Sequence, residues 1–469
     1  MKRGNLWSGM GALGALLVAS LPATAADLLS VYDQALVNDP QIREAEATRR
    51  AQNESRPIAI ANLLPAAQGS AGKNRQWSDG TGFQEFTFAG ASSPTRSDTS
   101  GNSVTTTKNW GLQLRQSVFS WQNWVALRSA NHTVAQAEAD YQAQLQSLAQ
   151  RVAQQYFAVL QARDTLEAQQ AARDAIARQL EQAERRFEVG LIAITDVQEA
   201  RAERDNAAAQ VIAAQRALAS AEEQLRATIG EKPTALNEPS EDMPLASPDP
   251  ASEEEWVRAA MEQNSTLISS RLAADIARDN VRSSYGGFMP SVDLVAGRTY
   301  SDSEGTRDSS GQVTRNASET YGKSLSLQFS MNLNGLGYGT YSRSRQSQFL
   351  WIAAKERLER TSRSTERQAR DAYLGVNSEI ARVQALKQAL ESSRTALAAT
   401  EAGYEVGTRT AVDVLTSRRL LIQAETNYSA AKYSYLNNLI ALRLASGDLD
   451  RSTLEEINRW LTVAPPPAP

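Results

Sequence analysis

Two stretches decide the reading: Arg186-Phe187-Glu188-Val189-Gly190-Leu191-Ile192-Ala193-Ile194-Thr195-Asp196-Val197-Gln198 and Gly403-Tyr404-Glu405-Val406-Gly407-Thr408-Arg409-Thr410-Ala411-Val412-Asp413-Val414-Leu415. They share one skeleton: an aromatic residue, an acid, Val-Gly, and then Asp-Val. Each sits between segments with helical patterning. Glycine suits a helix C-terminus, where the chain turns through a left-handed conformation. An aspartate at the start of the next helix can accept its orphan N–H groups. Each stretch therefore predicts the tip of a long antiparallel helical hairpin, and two such tips predict a duplicated chain.

Working outward, Trp121 to Glu188 contains no Pro or Gly. Tyr141, Leu145, Leu148, Val152, Tyr156 and Val159 recur there at spacings of three and four. That pattern predicts a single helix of roughly 100 Å. The matching span, from about Thr340 to Glu405, holds Gly375 and Gly403 but no Pro. Shorter helices are predicted near Leu28 to Asn62 and Asp196 to Thr228. Val211, Ala214, Leu218, Ala221 and Leu225 form a seam in which small residues alternate with large ones. Such a seam allows close approach but buries little area per helix, so lateral neighbours are expected. Asn38-Asp39-Pro40-Gln41-Ile42 parallels Gln263-Asn264-Ser265-Thr266-Leu267, and Leu63-Leu64-Pro65 parallels Phe288-Met289-Pro290. These parallels predict one repeat unit per half.

Between helices, Leu325, Leu327, Phe329, Met331 and Leu333 alternate with Ser326, Gln328, Ser330 and Asn332. Trp110, Leu112, Leu114 and Val118 alternate with Gly111, Gln113, Arg115 and Ser117. A period of two over this length fits a strand with one face in oil and one in water. Partner strands are predicted near Ala66 to Trp77 and Ser291 to Tyr300. The Ser/Thr/Gly/Asn-rich stretches Ser78 to Thr107 and Asp302 to Tyr321 are expected to be exposed loops. Soluble hairpins packed on the helices are the competing reading, although a lone two-stranded hairpin is marginal in water.

Composition removes other classes. The chain of 469 residues has no Cys, one His (His132) and a net charge of −4. Those numbers leave little for nucleophilic or metal chemistry and no footprint for nucleic acid. No enzyme, cofactor or metal site is expected. Lys2 and Arg3 precede an apolar run, Met10 to Leu21, and Ala23-Thr24-Ala25 forms a small-x-small cleavage site. The predicted organisation is a signal peptide at 1–25, a first repeat at 26–229 and a Pro-rich linker at 230–252. A second repeat follows at 253–446, and a C-terminal helix with a Pro-rich tail at 447–469. With no later apolar run long enough to span a bilayer, membrane residence requires a β-barrel.

The tips, the duplicated halves, the two β-hairpins and the two very long helices together resemble the TolC family of outer-membrane efflux proteins. The resemblance covers Leu28 to Leu461 and is sharpest at the two tips. It implies a mainly α protein with a membrane β-barrel: a homotrimer in which each chain gives four strands to a twelve-stranded barrel. Long antiparallel coiled-coil helices would continue that barrel as an α-barrel through the periplasm. The linker and C-terminal helix would form a belt around it. The implied function is an outer-membrane exit duct for tripartite efflux or type I secretion. Its partners would be outer-membrane lipid, a periplasmic adaptor (membrane fusion) protein and an inner-membrane transporter. A periplasmic coiled-coil adaptor or scaffold is the alternative.

The resemblance also implies roles at the tips. Tyr404 and Arg409 on one tip would face Thr195 and Asp196 on the other as a channel gate. Arg409 offers a fork of donors to a carboxylate. Asp413 would form a cation-selective ring at the constriction. Two positions depart from the family pattern. Thr416 stands where a second Asp is familiar, and Arg185 where an uncharged Gln is, so both are possible modifiers of the gate. Val189, Gly190, Leu191, Val406, Gly407 and Thr408 would dock the adaptor. A purely local reading remains open, in which Asp196 and Arg409 serve as helix caps.

Overall fold

The computed structural model describes residues 26–462 apart from 88, 91–92, 234, 241–242, 310–311 and 332–334. The predicted signal peptide, the Pro-rich tail beyond Thr462, Asn332 and Leu333 lie outside the described residues. The first half runs α1 (Leu28–Asn38), α2 (Pro40–Asn53), α3 (Ser55–Ala61), β1 (Ala66–Phe86), β2 (Thr95–Phe119), α4 (Trp121–Glu188) and α5 (Ile194–Ile229). A short β3 (Glu238–Pro239) follows in the linker. The second half runs α6 (Glu253–Gln263), α7 (Ser265–Tyr285), β4 (Ser291–Ser309), β5 (Gln312–Ser330), α8 (Tyr338–Glu405) and α9 (Ala411–Ser446). The chain closes with α10 (Arg451–Asn458) and β6 (Leu461–Thr462). Helices α4 and α8 each have 68 residues, and α5 and α9 each have 36.

The segment expected as one helix from Leu28 to Asn62 is three. Asp39 ends α1, and its carboxylate accepts the Gln41 N–H at 2.9 Å while Pro40 opens α2. Proline tolerates the first helical turn but not the interior, so the break falls there. The parallel break at Asn264 is held by its side chain, which donates to the Ala445 carbonyl at 3.1 Å.

The chain divides into two compact units. One comprises Ala45–Ala143 and Ser265–Ser364 and contains an antiparallel sheet of order β1-β2-β4-β5. Leu325, Leu327 and Phe329 are exposed on one face, and Leu294 of β4 lies opposite Leu327. The other face is polar, with Arg115 paired to a buried Asp293 at 2.6 Å. This is the oil-and-water alternation expected of a barrel strand. Strands β1 and β5 are the sheet edges.

The strands run well past their expected ends. The stretches predicted as polar loops are paired strand, with unbroken register from Ala66↔Arg115 to Phe86↔Thr95 and from Ser291↔Ser330 to Ser309↔Gln312. Backbone ladders do not need apolar side chains. Where both faces meet water, no oil-and-water alternation remains to report the strand.

The other unit comprises the described residues of Met1–Glu44, Gln144–Asn264 and Thr365–Pro469. Its core packs Leu148, Val152, Tyr156 and Leu160 of α4 with Leu28 and Val31 of α1, Leu225 and Ile229 of α5, and Leu436 and Ile440 of α9. The linker joins this core through Leu236 and Met243, and its β3 pairs antiparallel with β6. Buried hydroxyls are satisfied: Tyr156 donates to the Asn237 carbonyl at 2.8 Å and Tyr433 to the Asp164 carboxylate at 3.0 Å. Among the described residues no helix is long and apolar enough to cross a membrane.

Helix α9 ends at Gly447, whose φ of 83° is left-handed. A Cβ there would lie 2.5 Å from the Gln263 carbonyl oxygen, whereas one at Gly190, also left-handed, meets open space. Gly447→Ala should therefore cost more than Gly190→Ala, whose backbone strain alone is about 1–2 kcal/mol. Thermal unfolding of the two variants in detergent compares them, and equal losses would contradict the close approach.

Candidate channel gate at the hairpin tips

Both tips are built by the same local chemistry. Helix α4 ends at Glu188, and the Leu191 N–H returns to the Arg186 carbonyl at 2.8 Å while the Gly190 N–H bonds Phe187 at 2.9 Å. Helix α8 ends at Glu405 with the same pair, Thr408 to Gly403 at 2.8 Å and Gly407 to Tyr404 at 3.1 Å. This is the Schellman pattern, which satisfies terminal carbonyls and requires a left-handed residue. Gly190 and Gly407 supply it with φ of 74° and 80°.

The helix starts differ. At the second tip Thr410 is the N-cap. The Asp413 carboxylate accepts the Thr410 N–H and hydroxyl, each at 2.9 Å, and the Thr410 hydroxyl oxygen accepts the Asp413 N–H at 3.2 Å. This reciprocal box satisfies two orphan donors. The hydrogen bonds from Thr410, with a smaller contribution from the Arg409 charge, hold the Asp413 carboxyl below its ordinary range. At the first tip the N-cap is Ala193, whose methyl group offers no acceptor, and Asp196 lies in the first turn.

Each hairpin is also stapled one step back from its turn. Arg201 reaches Glu184 at 3.1 Å across the first, and Arg418 pairs with Glu401 across the second. Both pairs are 17 residues apart, at corresponding positions. Sequence reasoning missed them, although the repeated Glu–Arg spacing was there to be found. Leu180, Ala183, Val197 and Ala200 bury a small apolar cluster under the first tip.

The predicted gate residues are only partly brought together within one chain. Tyr404 carries the Arg186 guanidinium over its ring at 4.8 Å, a cation–π contact joining the tips. Gln179 of α4 also donates to the Ala411 carbonyl, at 3.5 Å. Arg186 was not singled out from sequence. Arg409 lies along Gly403, where a Cβ would meet its Cγ at 2.8 Å. Arg185 pairs with Glu181 on its own helix, rather than with Asp196. Among the described residues no side-chain hydrogen bond or ion pair engages Thr195 or Asp196. Thr416 is half-buried on α9. Val189, Leu191 and Val406 are exposed, forming an apolar crown at the turns with Gly190, Gly407 and Thr408.

A sheet with one apolar face and open edges, together with a second unit of paired helical hairpins, marks the class: an outer-membrane channel protein. The fold matches the solved outer membrane channel CmeC of Campylobacter jejuni with a TM-score of 0.71 at 18% identity, covering 98% of this chain and 97% of that one. The chain belongs to the outer membrane efflux protein family, whose model matches residues 31–231 and 256–448. It is 35% identical to the outer membrane protein TolC of Vibrio cholerae over 97% of both chains. It is also 30% identical to the alkaline protease secretion protein AprF of Pseudomonas aeruginosa, over 94% of this chain and 88% of that one. The protein is an outer-membrane exit duct and not an enzyme.

Because the folded value of Asp413 is lowered, its box stabilises the second tip above the ordinary carboxylate range and is lost as pH falls through that lowered value. Relative to intrinsic exchange at each pH, the peptide containing Asp413 should therefore lose more amide protection in acid than the peptide containing Ala193, which lacks a box. Thr410→Ala should remove the difference, and a difference that survives in that variant would refute it.

Proposed function

We propose that three copies of this chain close into one gated duct that receives cargo in the periplasm and releases it outside the cell. The carrying observation is that a sheet with a lipid-type face ends in two edges without partners, β1 and β5. Unpaired backbone N–H and C=O groups are not tolerated against hydrocarbon. Neighbouring copies would pair these edges, and would also cover the small-residue helical seams. The equal lengths of α4 and α8, and of α5 and α9, support reading the chain as two structural repeats at 26–229 and 253–446.

At the periplasmic end the gate is formed between chains. Thr195 and Asp196, whose side chains have no hydrogen bond or ion pair among the described residues, receive Arg409 and the Tyr404 hydroxyl from a neighbouring tip. Such bonds are worth about 1–3 kcal/mol each. Repeated around a threefold axis, they hold the end closed yet yield to a partner. With Arg185 occupied by Glu181, it neither repels Arg409 nor takes Asp196. Asp413 from each chain forms one acidic ring, with Thr416 leaving the next turn uncharged. The apolar crown of Val189, Leu191 and Val406 docks a periplasmic adaptor, which couples the duct to an inner-membrane transporter. The similarity to TolC and AprF supports both small-molecule efflux and protein secretion as uses of one duct.

Single-channel recording in planar bilayers tests this reading. Arg409→Ala and Tyr404→Phe should raise conductance, and Arg186→Ala separates the ring contact from the hydroxyl, since Tyr404→Phe keeps a ring for Arg186. Unchanged conductance in Arg409→Ala and Tyr404→Phe removes the latch. Asp413→Ala should lower cation over anion permeability, and an unaltered reversal potential in a salt gradient removes Asp413 from the constriction.

A further inference from the structure

The outward face of the sheet is ordered in rows. Backbone pairing aligns Ala71, Trp110, Tyr300 and Tyr321 across β1, β2, β4 and β5. The Trp110 and Tyr300 rings stack at 6.1 Å, and Tyr300 and Tyr321 lie 5.0 Å apart. Aromatic rows of this kind sit where hydrocarbon meets headgroups. Toward the helices the same face continues through Ala67, Leu114, Ala296 and Leu325 to Val292 and Phe329. Those nine residues of β4, Val292 to Tyr300, are about 27 Å of strand, within the length that crosses a bilayer in a tilted barrel. Toward the hairpin turns the next row is charged, with Lys108 paired to Asp302 at 3.2 Å.

One row breaks the pattern. Immediately inside the aromatic row, Arg298 and Lys323 face each other across β4 and β5 on the lipid side, and both are exposed. Like charges directly opposite on a sheet repel, and placing them near hydrocarbon without a counter-charge costs more. Among the described residues neither makes an ion pair. The nearest carboxylates along these two strands on this face, Asp302 and Glu319, stand in the charged row beyond the aromatics, four residues or about 13 Å along each strand, and Asp302 is engaged by Lys108. A neighbouring copy would bring β1 beside β5, but Ala66 to Trp77 contains no Asp or Glu. Edge pairing through that segment therefore adds no carboxylate beside the pair. Gly69, in the same row on β1, has open space above it.

We infer that Arg298 and Lys323 bind the phosphate of an outer-leaflet lipid, with the Trp110–Tyr300–Tyr321 row supporting its headgroup. The arginine supplies a two-pronged fork and the lysine a point charge, the complementary means of holding one phosphate. Both stems are long enough to carry their charges up toward the headgroup level while their methylenes stay in the apolar band. Acyl chains then run along Leu112, Leu114, Leu325 and Leu327. The inference rests on the barrel reading above.

The test is native mass spectrometry of the full-chain protein in detergent, titrated with lipid A or with the same lipid stripped of its phosphates. Lipid A should bind, and the double variant Arg298→Gln/Lys323→Gln should weaken binding about tenfold or more. Arg298→Lys, which keeps the charge, should retain most of it. Equal binding of the dephosphorylated lipid, or undiminished binding by the double variant, overturns the assignment. Conductance of the same preparation separates the two claims. A conducting protein that ignores the phosphate refutes the lipid site alone, whereas a wild-type protein that neither conducts nor binds lipid A refutes both.

Discussion

The structure depends on backbone hydrogen bonding at the two edges of one sheet. In water, β1 and β5 could leave their outer N–H and C=O groups to solvent. Against hydrocarbon they cannot, and the apolar row through Leu325, Leu327 and Phe329 commits this sheet to hydrocarbon. The same constraint explains why a chain whose described residues hold no membrane-length apolar helix can still reside in a membrane. It also explains why interior charges are sorted by face. Arg115 and Asp293 pair on the polar side, whereas Arg298 and Lys323 face each other on the apolar side with no ion pair among the described residues.

The helical unit solves a different problem. Alanine-rich seams bring helices close but bury little area, so stability is concentrated where the linker and C-terminus thicken the core around Tyr156, Phe157 and Tyr433. Away from that core each hairpin is secured locally: by the Schellman turn at Gly190 or Gly407, by the Glu–Arg staples, and at the second tip by the Thr410–Asp413 box. A tip that is rigid within itself but bare on its outer surface is suited to moving as a body.

Legibility followed the physics of each signal. The Val-Gly turns were readable because a left-handed backbone demands glycine, and the long helices because apolar spacing persists over many turns without proline. The outer strands were misread as loops, since a ladder between two wet faces leaves no alternation in Ser78 to Thr107. The break at Asp39-Pro40 was missed as a helix end because the pattern on either side is helical. At the tips, Tyr404 and Arg409 were singled out from the motif, as residues of a proposed gate. Arg186 was not, because its contact with Tyr404 joins residues that only the packing of two hairpins brings together.

By itself, the sequence determined the local conformations: where helices turn, and which strand residues alternate between an apolar and a polar face. Those outcomes depend on neighbours within a few residues, through backbone dihedrals and side-chain period. Only the tertiary structure decided the row-by-row register across four strands, the pairing of Arg185 with Glu181 instead of Asp196, and the cation pair left without a carboxylate. Each of these is a question of which distant groups come within a few ångströms, and chain order alone does not carry that distance.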